Sequence, residues 1–240
     1  MQNALSEKLK NYKPSQQAIQ LVHQTPILLL VGPTGAGKDS LKEKLLETGK
    51  FHHIVSHTTR RPRVNHGILE KDGEDYHFID KTKAEKLLDD QSMIEAKVYS
   101  DNLYGTSVSE IQKAHDEGKI AMTDIEVQGV AEYKELDPSV MAVFLLPPDF
   151  ETWQQRLQKR YGEVVDFEDF KLRLQTALDE LEELLNTNYY VAVINDDLEQ
   201  TYQQIIEVVE SADHKSQSDP AAREVAKKLK EDIREYLDNI

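Results

Sequence analysis

Ile27-Leu28-Leu29-Leu30-Val31, followed without a break by Gly32-Pro33-Thr34-Gly35-Ala36-Gly37-Lys38-Asp39-Ser40, is the stretch that decides the fold. Five apolar residues in a row fit a strand buried on both faces. The glycines allow a tight backbone turn, and Leu41-Lys42-Glu43-Lys44-Leu45-Leu46 has helical spacing, so the order is strand, loop, helix. A loop of this kind holds phosphate. Successive N–H groups and the positive end of the new helix point into it, where side chains larger than hydrogen would block the approach. Lys38 then reaches the β/γ-phosphates.

One position departs from the usual pattern. Where Ser or Thr normally follows the lysine and ligates Mg²⁺, this chain has Asp39, and the hydroxyl comes one place later in Ser40. A carboxylate beside a triphosphate repels it unless a cation lies between them. Asp39 is therefore expected either to bind the Mg²⁺ or a water on it, or to weaken the site.

At 240 residues the chain is long enough for one sizeable α/β core, or for a core plus a small insertion and tails. A net charge of −15 argues against duplex nucleic acid or an anionic membrane as main partner, because both demand a broad basic surface. Basic residues collect at Arg60-Arg61-Pro62-Arg63 and from Arg156 to Arg160, which reserves positive charge for a polyanionic ligand. The absence of cysteine excludes disulfides, thiolate metal sites and a cysteine nucleophile. The histidines show no ligand spacing. No stretch approaches a membrane span, and Met1 to Lys10 is too polar for a signal peptide, so a cytoplasmic location is expected.

Along the chain, Met1 to Pro14 reads as a polar, mobile lead-in, and Ser15 as the cap of a short helix through Gln24. His52 to Ser56 and Asp75 to Ile79 read as strands separated by a loop, Val64 to Gly73. Lys83 to Asp90 is helical, Ser92 to Tyr99 a strand, and Tyr104 to Ser107 a turn into a helix ending near Glu117. Lys119 to Asp124 is an apolar run ending in an acid, which places Asp124 at a strand's C-terminal edge as a candidate for organising Mg²⁺ through water. Met141 to Leu146 and Tyr189 to Ile194 are further strands. Phe150 to Arg160, Phe167 to Leu185 and Leu198 to Val209 are helices, the second with a stripe of Leu172, Leu174, Leu181, Leu184 and Leu185. Its acid-rich remainder, within Glu163 to Glu183, reads as a solvated face. After a polar linker, Ala212 to Asp219, Pro220 opens a helix with Val225, Leu229, Ile233 and Leu237 in a stripe, to dock on its own domain or pair with a second copy. Alternating strands and helices imply a parallel sheet covered on both faces.

Ser56-His57-Thr58-Thr59-Arg60-Arg61-Pro62-Arg63, then Glu70, Gly73, Asp75-Tyr76 and Phe78, are similar to the acceptor motif of the guanylate kinase family. Met93-Ile94-Glu95, Leu103-Tyr104-Gly105-Thr106 and Asp124-Ile125-Glu126-Val127-Gln128-Gly129 resemble three later blocks. Arg156 to Arg160, Arg173-Leu174 and Asn195-Asp196-Asp197-Leu198 resemble its lid and last strand. The likeness covers about Ile27 to Val209 and is far more specific than the phosphate loop alone.

The resemblance implies a three-layer αβα fold with a central parallel sheet, a small GMP-binding α+β insertion and a helical lid. Residues 1–25 form an N-terminal extension and 26–212 the kinase-like domain. Within that domain the core is 26–56, 108–155 and 186–212, the GMP region 57–107 and the lid 156–185; residues 213–240 form the linker and C-terminal helix. It further implies transfer from ATP to GMP, with Mg²⁺ as cofactor, by a monomer or homodimer. Arg60, Arg63, Tyr76 and Tyr104 correspond to groups that hold the GMP phosphate, with Glu70 in the same motif; guanidinium forks and phenol donors suit a dianion. Ser56, Glu95, Thr106 and Glu126 correspond to base-reading positions, and Asp124 lies in the same block. Guanine offers N1–H and NH₂ to a carboxylate, and its O6 accepts from a hydroxyl; adenine reverses both demands. Arg156, Arg160 and Arg173 correspond to lid arginines that neutralise the transferring group alongside Lys38. Asn195 matches a position near the adenine of ATP.

The chain also departs from the family. The loop from Arg63 to Glu70 is four residues longer than typical, the stretch Tyr161 to Leu172 lacks the usual Gly-Thr-rich acidic run, and Glu126 replaces a common Asp. Gly-Lys-Asp-Ser is similar to ribose bisphosphate phosphokinases, which leaves a sugar-phosphate acceptor as one alternative. A non-catalytic scaffold of guanylate kinase shape is another, although it has no need of Lys38, Asp124 or the lid arginines.

Overall fold

The computed structural model describes residues 4–65, 67–161, 167–211 and 220–239. Helices α1 (Ala4–Leu9) and α2 (Gln16–Gln24) lead into β1 (Ile27–Val31) and α3 (Lys38–Glu47). Next come β2 (Phe51–His53), β3 (His57–Thr58), β4 (Val64–Asn65), β5 (Ile68–Leu69), β6 (His77–Phe78), α4 (Lys81–Asp89), β7 (Met93–Tyr99) and β8 (Asn102–Ser107). After α5 (Val108–Asp116) and β9 (Ile120–Asp124), the chain continues through α6 (Val127–Leu136), β10 (Met141–Leu146), α7 (Phe150–Tyr161) and α8 (Phe167–Asn186). It closes with β11 (Tyr190–Ile194), α9 (Leu198–Glu210) and α10 (Pro220–Asp238). Parallel strands flanked by helices give the α/β class expected from the sequence. Ser15 caps α2 as read, its Oγ accepting the Ala18 N–H at 3.2 Å, and the Asp197 carboxylate caps α9, accepting the Gln200 N–H at 2.9 Å.

The chain divides into two compact units. One comprises Leu28–Thr48, Asp124–Val130 and Met141–Ile240. Its strands run parallel in the order β11-β10-β1, with Leu30 opposite Val143 and Val143 opposite Val191. β1 and β10 are buried along their whole length, which is why they read as unbroken apolar runs. Helix α8 buries Leu174, Ala177, Leu178, Leu181 and Leu184, whereas Leu172, placed in the stripe by spacing, is exposed. Helix α10 docks on this unit through Ala222, Ala226, Leu229 and Ile233, a stripe rotated from the expected one toward two alanines that allow close approach. Arg223 on α10 donates to the carbonyls of Leu184 and Thr187 at 3.0 and 2.7 Å, satisfying acceptors that the end of α8 leaves open. The Tyr236 ring meets Phe150 and Phe170 edge-on.

The other unit comprises Met1–Ile27, Gly49–Thr123 and Ala131–Val140. It holds the parallel pair β2/β9 and a four-stranded sheet, β6-β3-β8-β7, in which β3 and β6 are parallel and the remaining pairs antiparallel. Two expectations are corrected here. The lead-in is not a loose tail, because Leu5 on α1 is buried against Ala84, Leu88, Met93 and Leu103, worth about 1.5–3 kcal/mol for a side chain of this size. Tyr12 adds a pair of bonds to the backbone of Met93, donating at 2.8 Å and accepting at 2.9 Å. Tyr104 to Ser107 is strand rather than turn. Gly105 marks a close approach, since a Cβ there would lie 2.4 Å from the Glu95 carbonyl oxygen. The loop Val64 to Gly73 also contains the short hairpin β4/β5. The linker Ala212 to Asp219, and residues 162–166 of the expected lid, lie outside the described residues.

Candidate functional site

In the unit that holds it, the phosphate loop emerges from β1 and delivers Lys38 as the first residue of α3. Gly32, Gly35 and Gly37 all have positive φ. At two of them a side chain is excluded twice over, because a Cβ on Gly32 would sit 2.2 Å from the Leu145 carbonyl oxygen and one on Gly37 2.1 Å from Asn195 Nδ2. The loop is pinned from outside. Trp153 Nε1 donates to the Thr34 carbonyl at 2.7 Å, and Asn195 Nδ2 to the Ala36 carbonyl at 2.7 Å. Asn195 is held in turn by Thr201 Oγ1, and its own carbonyl accepts from Arg156 at 2.9 Å. A cavity of about 310 Å³ opens here, lined by the loop, Arg156, Arg160, Asn195, Asp196 and Leu198.

Charge is concentrated around the lysine. The Lys38 ammonium donates to the carbonyls of Gly32 and Pro33. Burial pushes it below the ordinary lysine range, against the carboxylates of Glu180, Asp124 and Asp39. Burial raises Asp124, but Lys42 at 2.9 Å and then Lys38 outweigh it and hold the carboxyl below its usual range. Glu180 was read as part of a solvated face. It is half-buried on α8, and burial lifts it to about 7, with Lys38 pulling it down and Glu126 adding to the rise. Arg173 is half-buried on the same helix, seven residues or about two turns earlier. Asp39 accepts from Arg160 at 2.9 Å, so the residue in place of the usual hydroxyl is paired with an arginine in the last turn of α7. Glu126 lies exposed just ahead of α6.

Asp39 and Asp124 offer hard oxygen donors beside the loop, and no group of three or more His, Asp or Glu among the described residues could hold a metal by itself. That donor set fits Mg²⁺, which is commonly held by one or two carboxylates together with substrate phosphates and water.

Of the predicted acceptor residues, Ser56, Arg60, Arg63, Glu70, Tyr76, Glu95, Tyr104 and Thr106 lie in the other unit, whereas Asp124 and Glu126 belong to the unit of the loop. Arg60 makes a bidentate ion pair with Glu70, at 2.8 and 3.0 Å, with both side chains nearly buried. Glu70 also accepts the Arg63 N–H at 2.7 Å, so it anchors both arginines' segment, and the Arg63 side chain is left exposed. The Arg60 guanidinium stands 5.3 Å from the Tyr76 ring, which meets the Tyr104 ring edge-on at 6.0 Å. Glu95 on β7 is directly opposite Thr106 on β8, and both are buried. Burial raises the Glu95 carboxyl to about 7. Ser56 precedes β3, half-buried, its carbonyl accepting from His77 N–H at 2.8 Å.

The sequence reading missed a buried cluster behind this sheet. His77 Nε2 and Glu110 are 3.0 Å apart, Glu110 also accepts from Lys113 and Val55 N–H, and the His57 ring lies 4.6 Å from that of His77. Burial, then the neighbouring His77, lowers His57 to about 4. Trp153, the chain's one tryptophan, had no signal linking it to the loop.

A glycine-rich strand-loop-helix with a half-buried lysine, next to arginines and carboxylates, has the form of a phosphate-loop nucleotide-binding protein. The guanylate kinase family's sequence model matches residues 24–212. The chain is 35% identical over 187 residues to guanylate kinase of Latilactobacillus sakei, covering 77% of this chain and 88% of that protein. It is 38% identical over 181 residues to guanylate kinase of Schizosaccharomyces pombe, covering 74% and 87%. The crystal structure of guanylate kinase from Anaplasma phagocytophilum matches with a TM-score of 0.58 and 26% identity, covering 85% of this chain and 94% of that one. The chain belongs to the guanylate kinase family.

Proposed function

We propose that this chain transfers the γ-phosphoryl group of ATP to GMP, giving ADP and GDP. The loop amides of residues 32–40 and Lys38 take the β/γ-phosphates, and Arg156, Arg160 and Arg173 neutralise charge on the group in flight. Arg60, Arg63, Tyr76 and Tyr104 bind the GMP phosphate, with Glu70 orienting Arg60. Ser56, Glu95, Thr106 and Glu126 read the guanine. A GMP phosphate oxygen, already ionised, attacks the γ-phosphorus; that P–O bond forms as the bond to the β–γ bridging oxygen breaks and ADP carries the electron pair away. No general base is needed, so catalysis is alignment plus charge neutralisation. Asp124 and Asp39 would hold Mg²⁺, which supplies electrostatic shielding of the phosphates when bound. No described helix is long and apolar enough to cross a membrane, and the work is assigned to a monomer or homodimer acting on small nucleotides in the cytoplasm.

The observation that carries the acceptor assignment is the buried carboxyl of Glu95 across the ladder from the Thr106 hydroxyl, the acceptor and donor that a guanine edge demands. Coupled ADP release tests it with GMP, dGMP, AMP, UMP and ribose bisphosphate. The expected result is GMP-selective turnover, abolished in Lys38→Ala and kept or improved in Asp39→Ser, which releases Arg160 from its ion pair. ADP release with the sugar but not with GMP, or no release with any of these acceptors, overturns the proposal.

A further inference from the structure

The base-reading pair has a third member that no family block supplied. Helix α6 carries Tyr133, whose ring is fully buried and whose hydroxyl has no hydrogen-bond partner. The Thr106 hydroxyl is equally buried and equally unpartnered. Its neighbour on α6, Glu132, pairs with Lys97 on β7 at 3.5 Å, which holds this part of the helix over the strand that bears Glu95. The three groups sense one another. After burial, the Glu95 charge is the next cause that drives the Tyr133 phenol upward, and the Thr106 hydroxyl favours the ionised form of both. Two unpartnered hydroxyls against a buried carboxyl are unfavourable unless something recovers the loss, because a buried donor without an acceptor has given up its bond to water for nothing.

We propose that Tyr133 is a positioning residue for the acceptor base, its hydroxyl donating to Thr106 Oγ1 when the purine is bound. A threonine hydroxyl has one proton and two lone pairs. With a lone pair occupied by Tyr133, the Thr106 proton is turned to the side where Glu95 and the base edge lie. Tyr133 itself touches neither the base nor the phosphate. The inference rests on the GMP reading given above.

The test is Tyr133→Phe, which removes one oxygen and keeps the ring. Thermal unfolding is measured without ligand, and GMP binding by calorimetry without ATP between pH 6 and 8, followed by steady-state kinetics. The expected variant unfolds no lower than the wild type, since an unpartnered buried hydroxyl is gone, yet binds GMP about 10-fold more weakly at pH 7, the scale of one hydrogen bond in a charged site. The loss appears in KM for GMP, with kcat and KM for ATP within about two-fold. The midpoint of the pH dependence of GMP binding moves upward, Lys97, Glu132 and Thr106 being unchanged around Glu95. Wild-type affinity in Tyr133→Phe at every pH overturns the inference while leaving the acceptor reading intact. So does a variant that loses stability and affinity together, which marks a packing role. A wild type that binds GMP no better than AMP removes the acceptor reading and this inference with it.

Discussion

Replacing Glu95 by Gln exchanges a buried carboxyl for an amide of nearly the same shape. Burial first, opposed by the Thr106 hydroxyl and Lys97 and reinforced by Glu132, moves this carboxyl from 4.5 to about 7. The folded chain therefore holds the proton more tightly than the unfolded chain, and stability falls as pH rises from about 4.5 to about 7. At 1.36 kcal/mol per pH unit, that rise corresponds to about 3 kcal/mol, complete above pH 7. Glu95→Gln escapes the penalty. Without ligand it should be more stable than the wild type at pH 8 by up to about 3 kcal/mol, or roughly 6–12 °C in Tm for a chain of this length, with the difference vanishing near pH 4. Recognition should move the other way. A carboxyl titrating near 7 is about one-eleventh ionised at pH 6 and ten-elevenths at pH 8, so its share of GMP affinity should gain about 10-fold across that range. The GMP phosphate, with its own second pKa of about 6, titrates alike in both proteins and cancels in their ratio. Calorimetric melts from pH 4 to 8.5 and GMP titrations from pH 6 to 8 read both effects. A variant that melts no higher than the wild type at pH 8 and keeps the wild-type pH slope refutes the reasoning.

Two further outcomes concern stability. His57, faced by His77, Glu110, Lys113 and Lys83, stays neutral in the fold down to about pH 4, so the stability it confers is complete above pH 6.5 and lost as pH falls toward 4. His57→Phe should flatten that acid limb by up to about 3 kcal/mol, measured as urea midpoints between pH 4 and 7. Arg223→Met removes two charged donors from the last carbonyls of α8 and should lower stability by about 1–3 kcal/mol in calorimetry.

Much of the unit around Lys38 was legible because its signals are local. Apolar runs of β1 and β10, glycines at positive φ and an acid at the end of β9 are each visible within ten residues of chain. What escaped depends on approach between distant segments. Tyr-Gly-Thr looks like a turn until the opposing strand is known to pass so near Gly105 that no Cβ fits. Glu180 sits in an acid-rich helix where composition points to solvent, and only the fold brings it to the lysine. Trp153 and Tyr133 carry no spacing that tells a loop clamp or a base-site neighbour from an ordinary core aromatic. Among the extensions, Leu5 was obscured by its polar surroundings, and α10 was recognised as an amphipathic helix with its apolar face misjudged because alanine is a weak hydrophobic marker.

Arg223 and Tyr236 of α10 clamp α8 at two points, the carbonyls of Leu184 and Thr187 near its end and the Phe170 ring near its start. Arg173 lies thirteen residues from the Asn186 terminus, about 20 Å at 1.5 Å per residue. Tilting the two helices as one body by only ten degrees about that terminus would sweep the distant guanidinium through about 3 Å, the span of a single hydrogen bond. A change in how α10 is seated thus has geometric leverage on a charge two-thirds of a helix length away.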